Sequence, residues 1–308
     1  MLQKTLKRSI SCTGTGLHSG KPVSLVLRPA AEDTGIVFHV TTADGKYDFS
    51  ATPHTVVATA LATTIGDGNV SVSTVEHLLA ALRGLEVDNV NVHVQGCEIP
   101  IMDGSAEPFV DLIKEAGVVY QRKHRKVLKV DSPVSFETDG KFIRAEPYDG
   151  FFVDYTIDFP HPAIGKQRLA LEINADTFEK IASARTFGFM RDVQALQEAG
   201  MALGGSLENA IVLDQEGVMN QEGLRQADEF VRHKLLDFVG DMAMLELPLQ
   251  GRFEVCCSGH ALNNRFLCHL VDNSLLRRAT LGLQSGIKEV IPAARDSRPV
   301  GMPIPALG

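Results

Sequence analysis

Three titratable residues in the run from Asp228 to Asp241 are spaced so that at least two of them could hold a metal ion. His233, Asp237 and Asp241 stand at i, i+4 and i+8, which on a helix of about 100° per residue stacks them in one narrow stripe. Val231, Leu235, Phe238, Val239, Met242 and Leu245 fill a broad apolar arc beside it. A helix this apolar is packed on most of its surface, and burying three titratable groups there is costly unless something pairs with them. His and Asp one turn apart can share a cation, as the two His of a helical H-E-x-x-H motif do. In isolation an H-x-x-x-D spacing is more often a solvated i, i+4 pair, so other parts of the chain must decide.

Glu76 directly precedes His77 on a second expected helix. Adjacent helical residues diverge by about 100°, so the two would flank an ion rather than bind it in the same way. His77 would be the ligand, and Glu76 would take a proton from the attacking water. Three protein ligands, His77, His233 and Asp237, with one position open, is the arrangement of catalytic zinc. Nitrogen and oxygen donors suit zinc and leave iron(II) open. His260 follows an expected strand and a glycine, a place that presents a side chain at a sheet end. Asp241, two turns from His233, is too far along to share the ion and could pair with another His. Taken singly, Glu76-His77 reads as a helix-surface pair and His260 as a loop residue.

The elements that would carry these residues can be read from local signals. Alternation of apolar and polar residues predicts strands over 23–27, 35–40, 55–65 and 87–94, with a hairpin turn over 41–46. Helix signals mark 73–84, with Ser73 or Thr74 as cap and Gly84 as stop, and 106–116. The basic run 121–126 reads as a linker. Strands resume at 127–130, 142–145, 151–157 and 168–173. Short helices follow at 178–184 and 192–199, then a strand at 210–214, the 228–245 helix, a strand at 253–258 and a turn entering a helix at 259. The Gly-rich 11–20 stretch reads as a turn and does not match a phosphate loop. This mixture without regular βαβ alternation predicts an α+β fold in two domains, 1–121 and 127–290, joined by 122–126. The Pro- and Gly-rich tail, 291–308, reads as disordered.

The chain has 308 residues, long for one core and comfortable for two. A net charge of −8 argues against nucleic acid as a partner. Five cysteines, an odd number without C-x-x-C spacing, point to a reducing cytoplasm rather than a disulfide framework. Cys256 and Cys257 read as buried strand packing. Neither a signal peptide nor a transmembrane stretch is expected.

Five motifs occur together and in order: Ser73-Thr74-Val75-Glu76-His77-Leu78, Ile99-Pro100-Ile101-Met102-Asp103-Gly104-Ser105, Ala184-Arg185-Thr186-Phe187-Gly188-Phe189, His233-Lys234-Leu235-Leu236-Asp237, and Ser258-Gly259-His260-Ala261-Leu262-Asn263-Asn264. The set closely resembles the UDP-3-O-acyl-N-acetylglucosamine deacetylase family, zinc enzymes of the committed step of lipid A synthesis in Gram-negative bacteria. The resemblance runs from about residue 3 to residue 290. It implies two domains, each a sheet with a helix layer and a small insert, with the helices of both between the sheets. It implies that His77, His233 and Asp237 bind one Zn2+, with Fe2+ as an alternative, and that Glu76 is the general base. It implies that His260, supported by Asp241, is the electrostatic and acid partner, and that Thr186 contacts the oxyanion. Lys234 would reach the UDP-linked acylated glucosamine, and the segment 187–213 would form an acyl passage; Phe187, Phe189, Met190, Met201 and Leu203 suit its lining and would equally suit a plain domain core. A monomer is expected. Two other readings stand beside this one: a zinc amidohydrolase for another N-acyl compound, which would have no use for the passage, and a metal-stabilised binding protein, which would need neither Glu76 nor His260.

Overall fold

The computed structural model describes residues 1–282; the tail expected to be disordered lies outside the described residues. Strand Pro22–Pro29 buries Val23, Leu25 and Leu27 on one face, the period-two pattern of a half-buried strand. It lies between Ile10–Thr15 and Val90–Gln95 in a five-stranded sheet completed by the hairpin Ile36–Thr42 and Gly45–Ser50. In the second half, Leu249–Cys256 is central to a seven-stranded sheet. It pairs antiparallel with Lys141–Glu146 and parallel with Phe151–Phe159 and Lys126–Val130.

The helices are α1 (Glu76–Gly84), α2 (Glu107–Ala116), α3 (Glu179–Ala182), α4 (Met190–Glu198), α5 (Glu229–Met242) and α6 (His260–Asp272). Helix α5 packs on strands Phe151–Phe159 and Gly165–Glu172, α2 packs on Ile10–Thr15, and α1 packs on both α2 and α5. Helices from the two halves therefore lie between the two sheets, the expected α+β arrangement. Phe230, Leu235, Leu236, Phe238 and Val239 of α5 are fully buried, each contributing about 1.5–3 kcal/mol through removal from water. The contact of α1 with α5 requires Gly240. A Cβ there would stand 2.1 Å from the Glu76 carbonyl oxygen, so any larger residue would separate the helices that carry the candidate site.

Four local expectations differ from the structure. The region 55–65 is split into Val56–Ala58 and Thr64–Gly66, with Leu61 at φ 65° in the break. Strand Ile10–Thr15 occupies the first half of the Gly-rich stretch expected to be a turn. Neither Ser73 nor Thr74 caps α1, because the Thr74 hydroxyl donates to Glu98 and the Ser73 hydroxyl accepts from Thr64. The basic run is mostly strand: Val118–His124 pairs antiparallel with Leu2–Leu6, and Arg125 and Lys123 each meet an aspartate, Asp88 and Asp33, at 2.7 Å.

Candidate active site

Helix α5 presents His233, Asp237 and Asp241 on the face turned towards α1, and all three are buried, at 1%, 4% and 3% exposure. His77 of α1 meets the first two. Asp237 Oδ1 lies 3.3 Å from His233 Nε2 and 3.6 Å from His77 Nε2, and the two imidazole rings stand nearly perpendicular with centroids 5.1 Å apart. One donor atom from each residue fits within 4.8 Å of the others. Asp237 Oδ1 is buried and has no hydrogen-bond partner, an expensive state for a carboxylate oxygen unless a cation fills the gap.

The surroundings prepare this set for a metal. His233 Nδ1 is 3.0 Å from the Ala184 carbonyl oxygen, so Nδ1–H donates and the Nε2 lone pair stays free, the usual orientation of a ligating histidine. Burial, opposed by Asp237, pushes the His233 imidazolium down to about 3, leaving the neutral ring that metals bind. Burial alone would raise the Asp237 carboxyl, but His233 and Lys234 hold it well below its usual range. Ala184 is itself fixed from α5: Arg185 donates to Glu229 through its backbone N–H and guanidinium at 3.0 and 2.9 Å, and Glu229 is fully buried. Two imidazoles and one carboxylate, without a cysteine, are donors that could hold a metal ion.

Beside this triad, Glu76 and His260 face each other, with Oε1 and Nε2 3.9 Å apart. Burial raises the Glu76 carboxyl, while His260 and His77 oppose the shift. Burial would lower the His260 imidazolium, but Asp241, 2.8 Å from its Nδ1, and Glu76 push it up to about 9. Asp241 also accepts from the Thr63 hydroxyl at 2.6 Å and from Asn263 Nδ2 at 2.7 Å. The Thr63 backbone N–H donates to Glu76 Oε2 at 3.1 Å. One threonine thus holds the carboxylate on one side and the partner of the imidazolium on the other.

Of the remaining expected residues, Thr186, Phe187, Phe189 and Met190 line a cavity of about 330 Å³, with Leu17 and Leu207 among its other walls. Phe187 connects it to the triad, its ring centroid 6.2 Å from that of His233. Leu203 is half exposed and packs at Gly20 outside this lining, and Met201 does not line it either. Leu203 and Gly204 instead donate backbone bonds to the His18 and Leu17 carbonyls. Lys234 places its ammonium 2.7 Å from Asp237 Oδ2. Gly104, at φ 86°, closes against the Asn209 carbonyl oxygen and accepts from the Thr186 backbone N–H.

Sequence reasoning assigned no role to Thr63, Asn263, Glu229 or Glu98. Glu98, 2% exposed, accepts from the Thr74 hydroxyl at 3.0 Å and from the His18 and Ser19 backbone N–H groups at 2.8 and 2.9 Å. It thereby ties the turn before α1 to the cavity wall. Asn263 stands inside the motif Ser258–Asn264, but nothing local marks the other three.

Residues 3–272 match the family model described as LpxC, UDP-3-O-acyl N-acetylglycosamine deacetylase. The chain is 60% identical over 276 residues to the UDP-3-O-acyl-N-acetylglucosamine deacetylase of Nitratidesulfovibrio vulgaris, covering 90% of each chain. It is 53% identical over 309 residues to that of Oleidesulfovibrio alaskensis, covering 99% of this chain and 100% of the relative. With that of Lawsonia intracellularis it shares 55% identity over 281 residues, 91% and 92% of the two chains.

Proposed function

We propose a division of labour among the site residues of this chain, which belongs to the UDP-3-O-acyl N-acetylglycosamine deacetylase family. The chain is a deacetylase of UDP-3-O-acyl-N-acetylglucosamine and acts in lipid A biosynthesis. It hydrolyses the N-acetyl amide, releasing acetate and a free amine. His77, His233 and Asp237 hold the metal, which we take to be one zinc ion. The observation that carries this reading is Asp237 Oδ1, buried without a hydrogen bond and faced by both imidazole Nε2 atoms. Iron(II) is the alternative the same donors allow.

When bound, the ion supplies Lewis acidity to the acetyl carbonyl and to the attacking water. Glu76 takes the water proton as the new C–O bond forms. Its raised pKa brings it closer to the operating pH, as suits a general base. The Thr186 hydroxyl donates to the developing oxyanion. The His260 imidazolium, kept charged by Asp241, balances that negative charge and gives its proton to nitrogen as the C–N bond breaks. Glu76 then returns its proton to His260. Lys234 binds the UDP-sugar portion, and Phe187, Phe189 and Met190 contact the 3-O-acyl chain.

The division into domains 1–121 and 127–290 fits this scheme, with Glu76 and His77 from one and the remaining site residues from the other. A monomer is sufficient, since one chain supplies every group named. Five free cysteines agree with a reducing cytoplasm. Among the described residues no helix is long and apolar enough to cross a membrane. The test is acetate release from the UDP-linked acylated sugar and from the same sugar without its 3-O-acyl chain. The proposed acyl contacts require fast release from the first only. Equal rates would favour a general amidohydrolase.

A further inference from the structure

We infer that Cys256 and Cys257 form a two-thiolate binding site for a soft d10 dication of the zinc or cadmium type, separate from the catalytic triad. Adjacent residues in a strand point to opposite faces. Here the alternation is broken: Cys256 is the last residue of its strand, paired with Phe142 and Thr156, and Cys257 turns to φ 52°. That left-handed turn is costly for a side chain with a Cβ, and the Cys257 backbone N–H holds it by donating to the Thr156 carbonyl at 2.8 Å. As a result both sulfurs reach the same side and lie 3.8 Å apart. Both cysteines are half-buried rather than sealed in the core.

The separation selects among thiol chemistries. Two metal–sulfur bonds of about 2.3 Å at a tetrahedral angle span about 3.8 Å between sulfurs, so an ion can enter without moving the chain. A disulfide here would have to close over adjacent Cα atoms about 3.8 Å apart, below the usual range of about 4.4–6.8 Å. Burial, and then the neighbouring sulfur, hold the Cys256 thiol above its ordinary value. An ion that enters displaces the two thiol protons, forming two metal–sulfur bonds with no change in oxidation state. Water or an exogenous ligand completes the coordination. The pair leads straight into the turn that carries His260: the Ser258 carbonyl accepts from Tyr155 at 2.9 Å, and the Ser258 hydroxyl donates to Asn263 at 2.5 Å.

The experiment is a Cd2+ titration of the zinc-loaded, reduced full chain, followed by thiolate-to-cadmium charge-transfer absorption. The catalytic triad contains no sulfur and contributes nothing to that band. The wild type should show a band saturating at one equivalent. Cys256→Ser and Cys257→Ala should each weaken it by about 100-fold, since even second-layer changes at metal sites cost about 10–100-fold. Cys97→Ser, at the exposed cysteine, should leave the band unchanged. Acetate release by the two site variants should match the wild type and show that they fold. No band in the wild type, or a band that survives in either Cys256→Ser or Cys257→Ala, would overturn the assignment.

Discussion

His260 Nδ1 lies 2.8 Å from Asp241 Oδ2, on a carboxylate whose other oxygen is taken by the Thr63 hydroxyl at 2.6 Å. The contact fixes which ring nitrogen faces Glu76 and favours the charged ring. In the proposed mechanism the cationic form does the work, so activity should be lost as pH rises through the His260 pKa, pushed up to about 9. The same mechanism needs Glu76 deprotonated, so activity should also be lost as pH falls through its burial-raised pKa. In Asp241→Asn the first loss should move to lower pH by roughly one unit, about 1.4 kcal/mol, while metal content stays at the wild-type level. The limbs are macroscopic, so the measurement is the shift between variant and wild-type pH–rate profiles. An unmoved alkaline limb would remove Asp241 from this role.

Thr63→Val keeps the backbone N–H that holds Glu76 and removes the hydroxyl that donates to Asp241. The loss of one hydrogen bond to a charged group, about 1.5–3 kcal/mol, should appear mainly as a lower kcat. Metal analysis and steady-state kinetics on the same preparation check this. Unchanged kcat with a lowered Tm would make Thr63 purely structural.

How far these roles could be read in advance depends on the range of the contact. The α5 stripe was legible because helical spacing alone sets His233, Asp237 and Asp241 on one face. The same spacing set Asp241 apart, two turns being too far to share one ion easily, and left it as a charge partner for another His; it lies 2.8 Å from His260 Nδ1. Thr63 was not legible. It bonds across 178 positions to Asp241, it lies in a break between two short strands, and no periodic pattern records such a pairing. Glu98 and Glu229 were hidden for a related reason: a buried carboxylate that accepts backbone N–H groups looks, in sequence, like any surface acid. The strand in the basic run was missed because its charged residues are partnered at an edge, where composition resembles a connector. The α+β class was carried by alternation in the strands and by the breadth of the apolar arc on α5, whereas the placing of the helices between two sheets came from the family resemblance alone.

Glu98→Gln should destabilise the fold by about 1–3 kcal/mol, because an amide cannot serve all three donors that converge on the carboxylate. It should also raise KM for the acylated substrate more than it lowers kcat, since the His18–Ser19 turn borders the cavity while the catalytic groups keep their own bonds. Thermal unfolding and a KM against kcat comparison test the two parts.

Gly188 lines the 330 Å³ cavity, and a Cβ built there meets nothing within 4 Å. Gly188→Leu should therefore fold and fill part of the cavity, the proposed site of the acyl chain. At up to about 0.8 kcal/mol per buried CH₂, kcat/KM for long 3-O-acyl chains should fall by an order of magnitude or more, with shorter chains spared. A uniform loss across chain lengths would place the acyl chain elsewhere.

The most direct measurement is bound metal and acetate release, determined together, for Glu76→Gln, His77→Ala, His233→Ala and Asp237→Ala. Glu76→Gln should keep one equivalent of metal and lose about 10²–10⁴-fold in rate, the range for a general base. Each ligand variant should lose both metal and activity. A full equivalent of metal in the three ligand variants, or full activity in Glu76→Gln, would contradict the account.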